Sequence, residues 1–285
     1  MRIPRLLTAV LSAAVLLTAS ATAASAATVG SYVALGDSYT SGPFIPVQRF
    51  DPLGCGRSTA NYPSVLAAAL HAGRFTDVSC AGADTTNMTR PQGVPFNGTN
   101  PPQLGALRID TDLVTLGIGG NDQGVFGSLI GTCPGLRASD PTGNPCEKHF
   151  DGSVTSAIDN TGPRVAAVLA AIHERSPRAR ILVVGYPRIA PEKGYCPDVL
   201  PFADGDYAWL SSVEEALNRT LAEAADSEGA EFVDTFGPSR GHDACARGGS
   251  AWINGKDQNI FEAAAYHPLK AGMAGVAAVV LKTLR

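Results

Sequence analysis

The sequence carries little charge and has no excess of basic residues. Of its 285 residues, 17% are charged and 45% are hydrophobic, and the formal net charge is −4. A chain of this length and composition can bury a substantial core, which argues against a disordered protein. Because a nucleic-acid-binding protein needs a clustered basic face, we also expect no nucleic acid as a partner.

Other features are missing as well. No segments repeat at the periods of solenoid proteins. There is no Cys-x-x-Cys pair, which argues against a zinc site. Beyond residue 17 no apolar stretch is long enough to span a membrane. We therefore expect no metal, no cofactor and no stable membrane insertion, and nothing in the sequence indicates an oligomer rather than a monomer.

The N-terminus has the layout of a secretory signal peptide. Arg2 and Arg5 precede an apolar run over residues 6–17, and small residues follow up to Ala24-Ser25-Ala26. This order of a basic, an apolar and a small-residue region is typical of an exported protein, whereas a membrane span needs about 20 apolar residues. We predict cleavage after Ala26, secretion to the extracellular space, and a single domain over residues 27–285.

The six cysteines agree with export, since all of them follow the predicted cleavage site. An even number of cysteines in an oxidising compartment predicts three disulfides. Many pairings are possible; pairing nearest neighbours along the chain gives Cys55–Cys80, Cys133–Cys146 and Cys196–Cys245.

Short β-rich segments alternate with helical patterns along the chain. We predict strands at 32–35, 75–79, 113–116, 181–184 and 231–233, and helices at 61–70, 153–174, 206–227 and 271–284. Alternation at this spacing predicts a parallel sheet with helices on both faces. Ligands of such sheets bind at the carboxyl ends of the strands.

Three predicted strand ends carry groups that could act together. Ser38 follows the first strand within a glycine-flanked turn, where its hydroxyl and its backbone N–H can both face a ligand. Gly82 follows the second strand and Asn121 the third. Donors from several strand ends are what an oxyanion hole needs. The alternative is an ordinary turn at Ser38 and a helix N-cap at Asn121, before a helix over 122–130.

A serine nucleophile needs a base, and histidine is the usual one. Three of the five histidines lie on a predicted helix, directly after one, or between cysteines: His173, His71 and His149. His242 and His267 both follow the fifth strand, on the correct side of the sheet. We favour His267 because Pro268 and the last helix hold its turn rigidly.

Taken in order, these motifs resemble those of the GDSL-type esterases and lipases, the SGNH hydrolase superfamily. The matching residues are Gly36-Asp37-Ser38, Gly82, Gly120-Asn121-Asp122 and His267-Pro268. The resemblance covers the chain from about residue 32 to the C-terminal helix and is closest to a secreted bacterial lipase and phospholipase branch with three sequential disulfides. It therefore supports the nearest-neighbour cysteine pairing.

The resemblance implies an α/β fold, a flavodoxin-like three-layer α/β/α architecture with a central parallel sheet of about five strands. It also implies a metal-free site in which Ser38 is the nucleophile and His267 the general base. The N–H groups of Ser38 and Gly82 and the side-chain amide of Asn121 would form the oxyanion hole.

One position departs from the family pattern. The family usually has Asp three residues before the histidine, and here that residue is Ala264. We expect the backbone carbonyl of Ala264 to orient His267, with Asp243 and Glu262 as alternatives. A carbonyl can fix the imidazole tautomer without supplying a charge, so the base would be weaker than in a full triad.

The sequence thus predicts a secreted serine esterase or lipase, possibly with phospholipase A activity, that cleaves small-molecule or lipid esters through an acyl-enzyme. Apolar residues near the motifs suit an acyl chain: Tyr39, Phe44, Ile45 and Val125. One alternative is a carbohydrate O-acetyl esterase, although two tryptophans offer little aromatic stacking. The other is a non-catalytic exported binding protein, which only Ala264 favours.

Overall fold

A computed structural model describes residues 29–285, and a five-stranded parallel sheet forms its centre. The strands are β1 (Ser31–Gly36), β2 (Arg74–Asp77), β3 (Gln92–Val94), β4 (Gly98–Asn100), β5 (Leu113–Gly117), β6 (Arg180–Val184) and β7 (Glu231–Val233). The central sheet has the order β2-β1-β5-β6-β7, and β3 and β4 form a separate antiparallel hairpin. The predicted signal peptide lies outside the described residues.

Helices cover both faces of this sheet. They are α1 (Ser38–Ser41), α2 (Tyr62–Ala69), α3 (Val125–Leu136), α4 (Pro145–Phe150), α5 (Ser153–Arg175), α6 (Asp206–Ser227) and α7 (Lys270–Thr283). Helices α2 and α7 pack together on one face, and α5 and α6 pack together on the other. The predicted three-layer α/β/α architecture is confirmed.

The strand side chains alternate between two cores. In β1, Val33 and Leu35 join the core under α5 and α6, whereas Tyr32 and Ala34 join the core under α2 and α7. All four side chains are buried. Because helices cover both faces, the inner strands β1, β5 and β6 consist mostly of apolar residues instead of alternating polar and apolar ones.

The order of the strands determines where a ligand can bind. From β1 the chain first adds β2 on one side, then returns to add β5 on the other side. The carboxyl ends of β1 and β5 therefore flank the point where the strand order reverses, which is where open α/β sheets form their ligand crevice. The segments that leave these two ends carry Ser38 and Asn121.

Two regions contain more regular structure than the sequence predicts. The hairpin of β3 and β4 and the short helix α4 both lie in segments where the sequence predicts neither a strand nor a helix. Helix α3 extends to Leu136, beyond the predicted end at residue 130. Helix α3 contains three glycines and Pro134, all weak helix formers, so its sequence gives little helical signal. Its disulfide to α4 and its buried apolar side chains compensate for this.

The nearest-neighbour disulfides Cys55–Cys80, Cys133–Cys146 and Cys196–Cys245 are confirmed. Each links segments outside the strands of the central sheet, and such crosslinks stabilise a fold by typically about 2–4 kcal/mol. Among residues 29–285, no helix combines the length and the apolar character needed to cross a membrane.

We predict that Gly36→Ala destabilises the fold. A Cβ at Gly36 would lie 2.2 Å from Thr40 Oγ1 and 2.6 Å from the Gly117 carbonyl oxygen, both closer than atoms can approach. Overpacking of this kind lowers the free energy of unfolding by about 1–3 kcal/mol, measurable by urea denaturation. Gly127→Ala is the control: its Cβ would meet no atom within 4 Å. In helix α3 that substitution should be neutral or stabilising, and an equal loss in both variants would contradict the explanation.

Candidate active site

Ser38 begins a short helix directly after the central strand β1. Asp37 caps this helix, and its Oδ1 accepts the Tyr39 N–H at 2.8 Å. Gly42 ends the helix in the left-handed conformation, with φ 78°, and donates its N–H to the Ser38 carbonyl at 3.0 Å. A residue with a Cβ is disfavoured in that conformation, so the glycine allows the chain to turn away at once. Ser38 is thus held at the carboxyl edge of the sheet.

Tyr186 connects the ends of β1 and β5. Its hydroxyl donates to Asp37 Oδ2 at 2.5 Å and accepts the Gly120 N–H at 2.9 Å. Burial raises the pKa of Asp37 to about 7, although the hydrogen bond from Tyr186 lowers it. Sequence reasoning missed Tyr186; its signal is a tyrosine two residues beyond a buried parallel strand, at the edge where ligands bind.

Asn121 follows β5, and its side chain points toward the end of β2. Its Nδ2 donates to the Ala83 carbonyl at 2.9 Å, and it forms no side-chain capping bond with the turn that follows. Asn121 thus stands at the N-cap position of the turn over Asp122–Gly124, but its side chain does not cap that turn. An amide nitrogen carries two hydrogens, so a second N–H is available to a ligand.

Asp122 holds the segment that contains Ala83. Its carboxylate is buried and accepts the Thr85 N–H at 3.0 Å and the Thr85 hydroxyl at 2.5 Å. Burial raises the pKa of Asp122, and the two hydrogen bonds lower it. The consequence is a fixed distance between the turn after β5 and the loop after β2.

Gly82 lies in that loop and adopts the left-handed conformation, with φ 77°. Its neighbours are anchored, because Ala81 donates its N–H to the Cys55 carbonyl at 2.9 Å and Ala83 donates to the Cys80 carbonyl at 3.0 Å. The N–H groups of Gly82 and Ser38 donate to no protein acceptor within residues 29–285. Both remain available to a bound group.

The carbonyl that orients His267 belongs to Ala265, so the prediction of Ala264 is wrong. His267 Nδ1 lies 2.6 Å from the Ala265 oxygen, while the Ala264 oxygen accepts the Asn254 side-chain amide at 3.1 Å. Tyr266 adopts a left-handed φ of 60°. This turn brings the Ala265 carbonyl, two residues before His267, close to the imidazole ring. Since a carbonyl only accepts, Nδ1 carries the hydrogen and Nε2 is free to act as a base.

Neither alternative carboxylate hydrogen-bonds to His267. Glu262 Oε2 accepts the Asn259 side-chain amide at 3.1 Å, and Asp243 Oδ1 accepts the Cys245 N–H at 2.9 Å. His242, the other candidate base, stacks on Trp252 with ring centroids 4.9 Å apart and does not line the site. Within the described part of the chain, the hydrogen-bond partner of His267 Nδ1 is thus a neutral carbonyl and not a carboxylate.

Aromatic rings surround the imidazole. The ring centroid of His267 lies 5.3 Å from that of Tyr39 and 5.4 Å from that of Phe126. Tyr39 also donates its hydroxyl to the Tyr266 carbonyl at 2.6 Å, which ties the Ser38 helix to the His267 turn. Burial lowers the pKa of His267, and the hydrogen bond to Ala265 raises it by less.

Five of the predicted site residues line one groove: Ser38, Gly82, Asn121, Ala264 and His267. Phe44 and Phe126 line the same groove, whereas Ile45 is buried in the core under α2 and α7. The suggestion that Ile45 contributes to the site is therefore wrong. Among the described residues, no three His, Cys, Asp or Glu side chains are grouped to hold a metal ion.

We predict that His267 titrates below the ordinary histidine pKa of 6.5, since burial disfavours the imidazolium. The folded state then binds fewer protons than the unfolded state in this range, so this histidine adds stability as the pH rises through the window below about 6.5. Proton NMR of the imidazole C–H signals measures the pKa, and His267→Gln identifies the resonance. A pKa above the ordinary value would contradict a neutral partner at Nδ1.

The chain matches known proteins over most of its length. Residues 34–274 match the model of the GDSL-like Lipase/Acylhydrolase family. Lipase 2 of Streptomyces coelicolor is 42% identical over 241 residues, which cover 83% of this chain and 80% of the relative. Lipase 1 of the same organism is 33% identical over 270 residues, covering 93% of this chain and 91% of the relative.

Solved structures agree with these relatives. Phospholipase A1 from Streptomyces albidoflavus NA297 superposes with a TM-score of 0.76 at 28% identity, covering 90% of this chain and all of that one. An extracellular lipase from Streptomyces rimosus gives a TM-score of 0.74, also at 28% identity and with the same coverage. The chain therefore belongs to the GDSL-like lipase/acylhydrolase family and is a carboxylic ester hydrolase.

Proposed function

We propose that this protein hydrolyses fatty-acyl esters through a covalent acyl-enzyme, with Ser38 as nucleophile and His267 as general base. The observation that carries the proposal is the groove shared by Ser38, Gly82, Asn121 and His267. A nucleophile, a base and several N–H donors facing one space are the set of groups that acyl transfer requires.

In the first step, His267 Nε2 accepts the Ser38 proton while Ser38 Oγ attacks the ester carbonyl carbon. The carbonyl oxygen becomes negatively charged, and the N–H groups of Ser38 and Gly82 and the Asn121 amide donate to it. The imidazolium then protonates the leaving alcohol. In the second step, water attacks the acyl-enzyme carbonyl while His267 Nε2 accepts a proton from it. The bond from Ser38 Oγ to the acyl carbon then breaks, the imidazolium returns the proton to Ser38 Oγ, and the free acid leaves.

The partner of His267 affects the rate of both steps. The Ala265 carbonyl fixes the hydrogen on Nδ1 and so leaves Nε2 ready to accept a proton. It supplies no full negative charge to stabilise the imidazolium that forms. The lowered pKa of His267 keeps the ring neutral at neutral pH, in the state that a base requires.

The apolar surroundings of the groove favour lipid esters over small acetylated sugars. Phe44, Leu53, Phe96 and Phe126 line it. The relatives named lipases and the phospholipase A1 structure support the same substrate class. We further propose that residues 1–26 direct secretion, as the Streptomyces rimosus lipase is described as extracellular, and that residues 27–285 act as a monomeric single domain.

We predict that Ser38→Ala abolishes hydrolysis of p-nitrophenyl esters and labelling by a fluorophosphonate, because both need the hydroxyl. Asn121→Ala should lower kcat by about 10²–10³, the usual cost of losing one oxyanion donor. Steady-state kinetics and gel fluorescence measure the two effects. Parental turnover by purified Ser38→Ala would contradict the proposed nucleophile.

Glu262→Gln and Asp243→Asn are the controls for this series. Each keeps the shape of the side chain and removes a charge that does not contact His267. Both variants should retain close to parental kcat. A large loss of kcat in a folded variant would indicate that a carboxylate takes part after all.

A further inference from the structure

Two separate spaces meet at Ser38. The outer groove, described above, is open and contains Gly82 and His267. The second space, which we call the inner cavity, runs between α3 and α6. Its walls include Val125 and Leu129 of α3 and Leu210, Val213 and Leu217 of α6. Ser38, Asn121 and Phe126 line both spaces, so the nucleophile stands at the junction.

The chemistry of the proposed reaction assigns a part of the substrate to each space. The leaving alcohol must receive a proton from His267, and His267 lines the outer groove but not the inner cavity. The alcohol must also diffuse away once the acyl-enzyme has formed, which the open groove allows. The acyl chain stays attached to Ser38 until water releases it, and it extends from the carbonyl carbon on the opposite side from the alcohol.

We propose that the inner cavity is the acyl-chain site and that its α6 wall limits the length of the chain that the enzyme accepts. This inference rests on the proposed function of Ser38. The ligand class is an unbranched saturated acyl chain, because the lining is mostly apolar and burial of each methylene is favourable. The lining residues from Leu210 to Leu217 extend about 10 Å along the helix, farther than the two carbons of an acetyl group reach.

The one carboxylate in this wall is directed to the backbone. Glu214 lines the inner cavity, and its two oxygens accept the N–H groups of Ile189 and Ala190, each at 3.1 Å. Burial raises the pKa of Glu214 to about 8, which favours the uncharged form of the group. Its presence is therefore compatible with an apolar ligand.

The test is the chain-length profile of Val213→Phe. The larger ring fills the inner cavity at its α6 wall, so kcat/KM for p-nitrophenyl decanoate should fall by at least about tenfold, in line with the effect of steric mismatch in apolar pockets. Hydrolysis of p-nitrophenyl acetate should change little, because an acetyl group does not reach this wall. Ser212→Phe, on the exposed side of α6, is the matched control and should leave both substrates unaffected.

Leu217→Ala tests the same claim in the other direction and does not depend on accommodating a larger side chain. It should widen the cavity and raise the decanoate-to-acetate ratio of kcat/KM, or extend activity to longer chains. An unchanged ratio in both variants, or an equal loss on both substrates, would overturn the acyl-site assignment. Fluorophosphonate labelling of Ser38 in the same variants reports separately on the proposed nucleophile, so the two claims can fail independently.

Discussion

The hydroxyl of Tyr186 holds the ends of two central strands in a fixed relation, and the geometry of the site depends on it. It joins Asp37, which caps the Ser38 helix, to the backbone of Gly120, which precedes Asn121. All of these groups lie at the carboxyl edge of the sheet, where the strand order reverses. Because Asp37 and Tyr186 are buried, their hydrogen bond is little weakened by competing water. The proposed nucleophile and the proposed oxyanion donors are thus held in place before substrate binds.

His267 is positioned by different means, since no carboxylate hydrogen-bonds to it within the described residues. The left-handed turn at Tyr266 directs the Ala265 carbonyl to Nδ1, and backbone hydrogen bonds from Tyr266 to Gly255 and from Asn254 to His267 secure the turn. A non-glycine residue in this conformation is strained, and the surrounding contacts must offset that strain. The Ala265 carbonyl fixes the tautomer and the orientation of the His267 imidazole. It does not provide the negative charge with which a triad acid stabilises the imidazolium.

The fold could be predicted from the sequence to a large extent, because buried parallel strands are continuous apolar runs and the helices between them are long. Ser38 and Asn121 could be located because each directly follows such a strand. The partner of His267 could not, since the difference between Ala264 and Ala265 depends on the sign of φ at Tyr266, a position where no glycine or asparagine signals a turn. The full length of helix α3 could not be predicted either, because a disulfide and packing stabilise its last residues and local helix propensity reflects neither. Tyr186 follows a buried strand by two residues, but its bonds to Asp37 and Gly120 join residues distant in sequence, so that position alone does not identify its role.

The central claim is that Ser38 forms a covalent intermediate whose oxygen is bound by three donors. A crystal structure of the enzyme inactivated by an alkyl phosphonate tests it most directly, because the phosphoryl oxygen takes the place of the oxyanion. The account predicts a bond to Ser38 Oγ, with that oxygen within hydrogen-bonding distance of the Ser38 and Gly82 nitrogens and of Asn121 Nδ2. A phosphonate attached to another residue, or an oxygen turned away from all three donors, would contradict it.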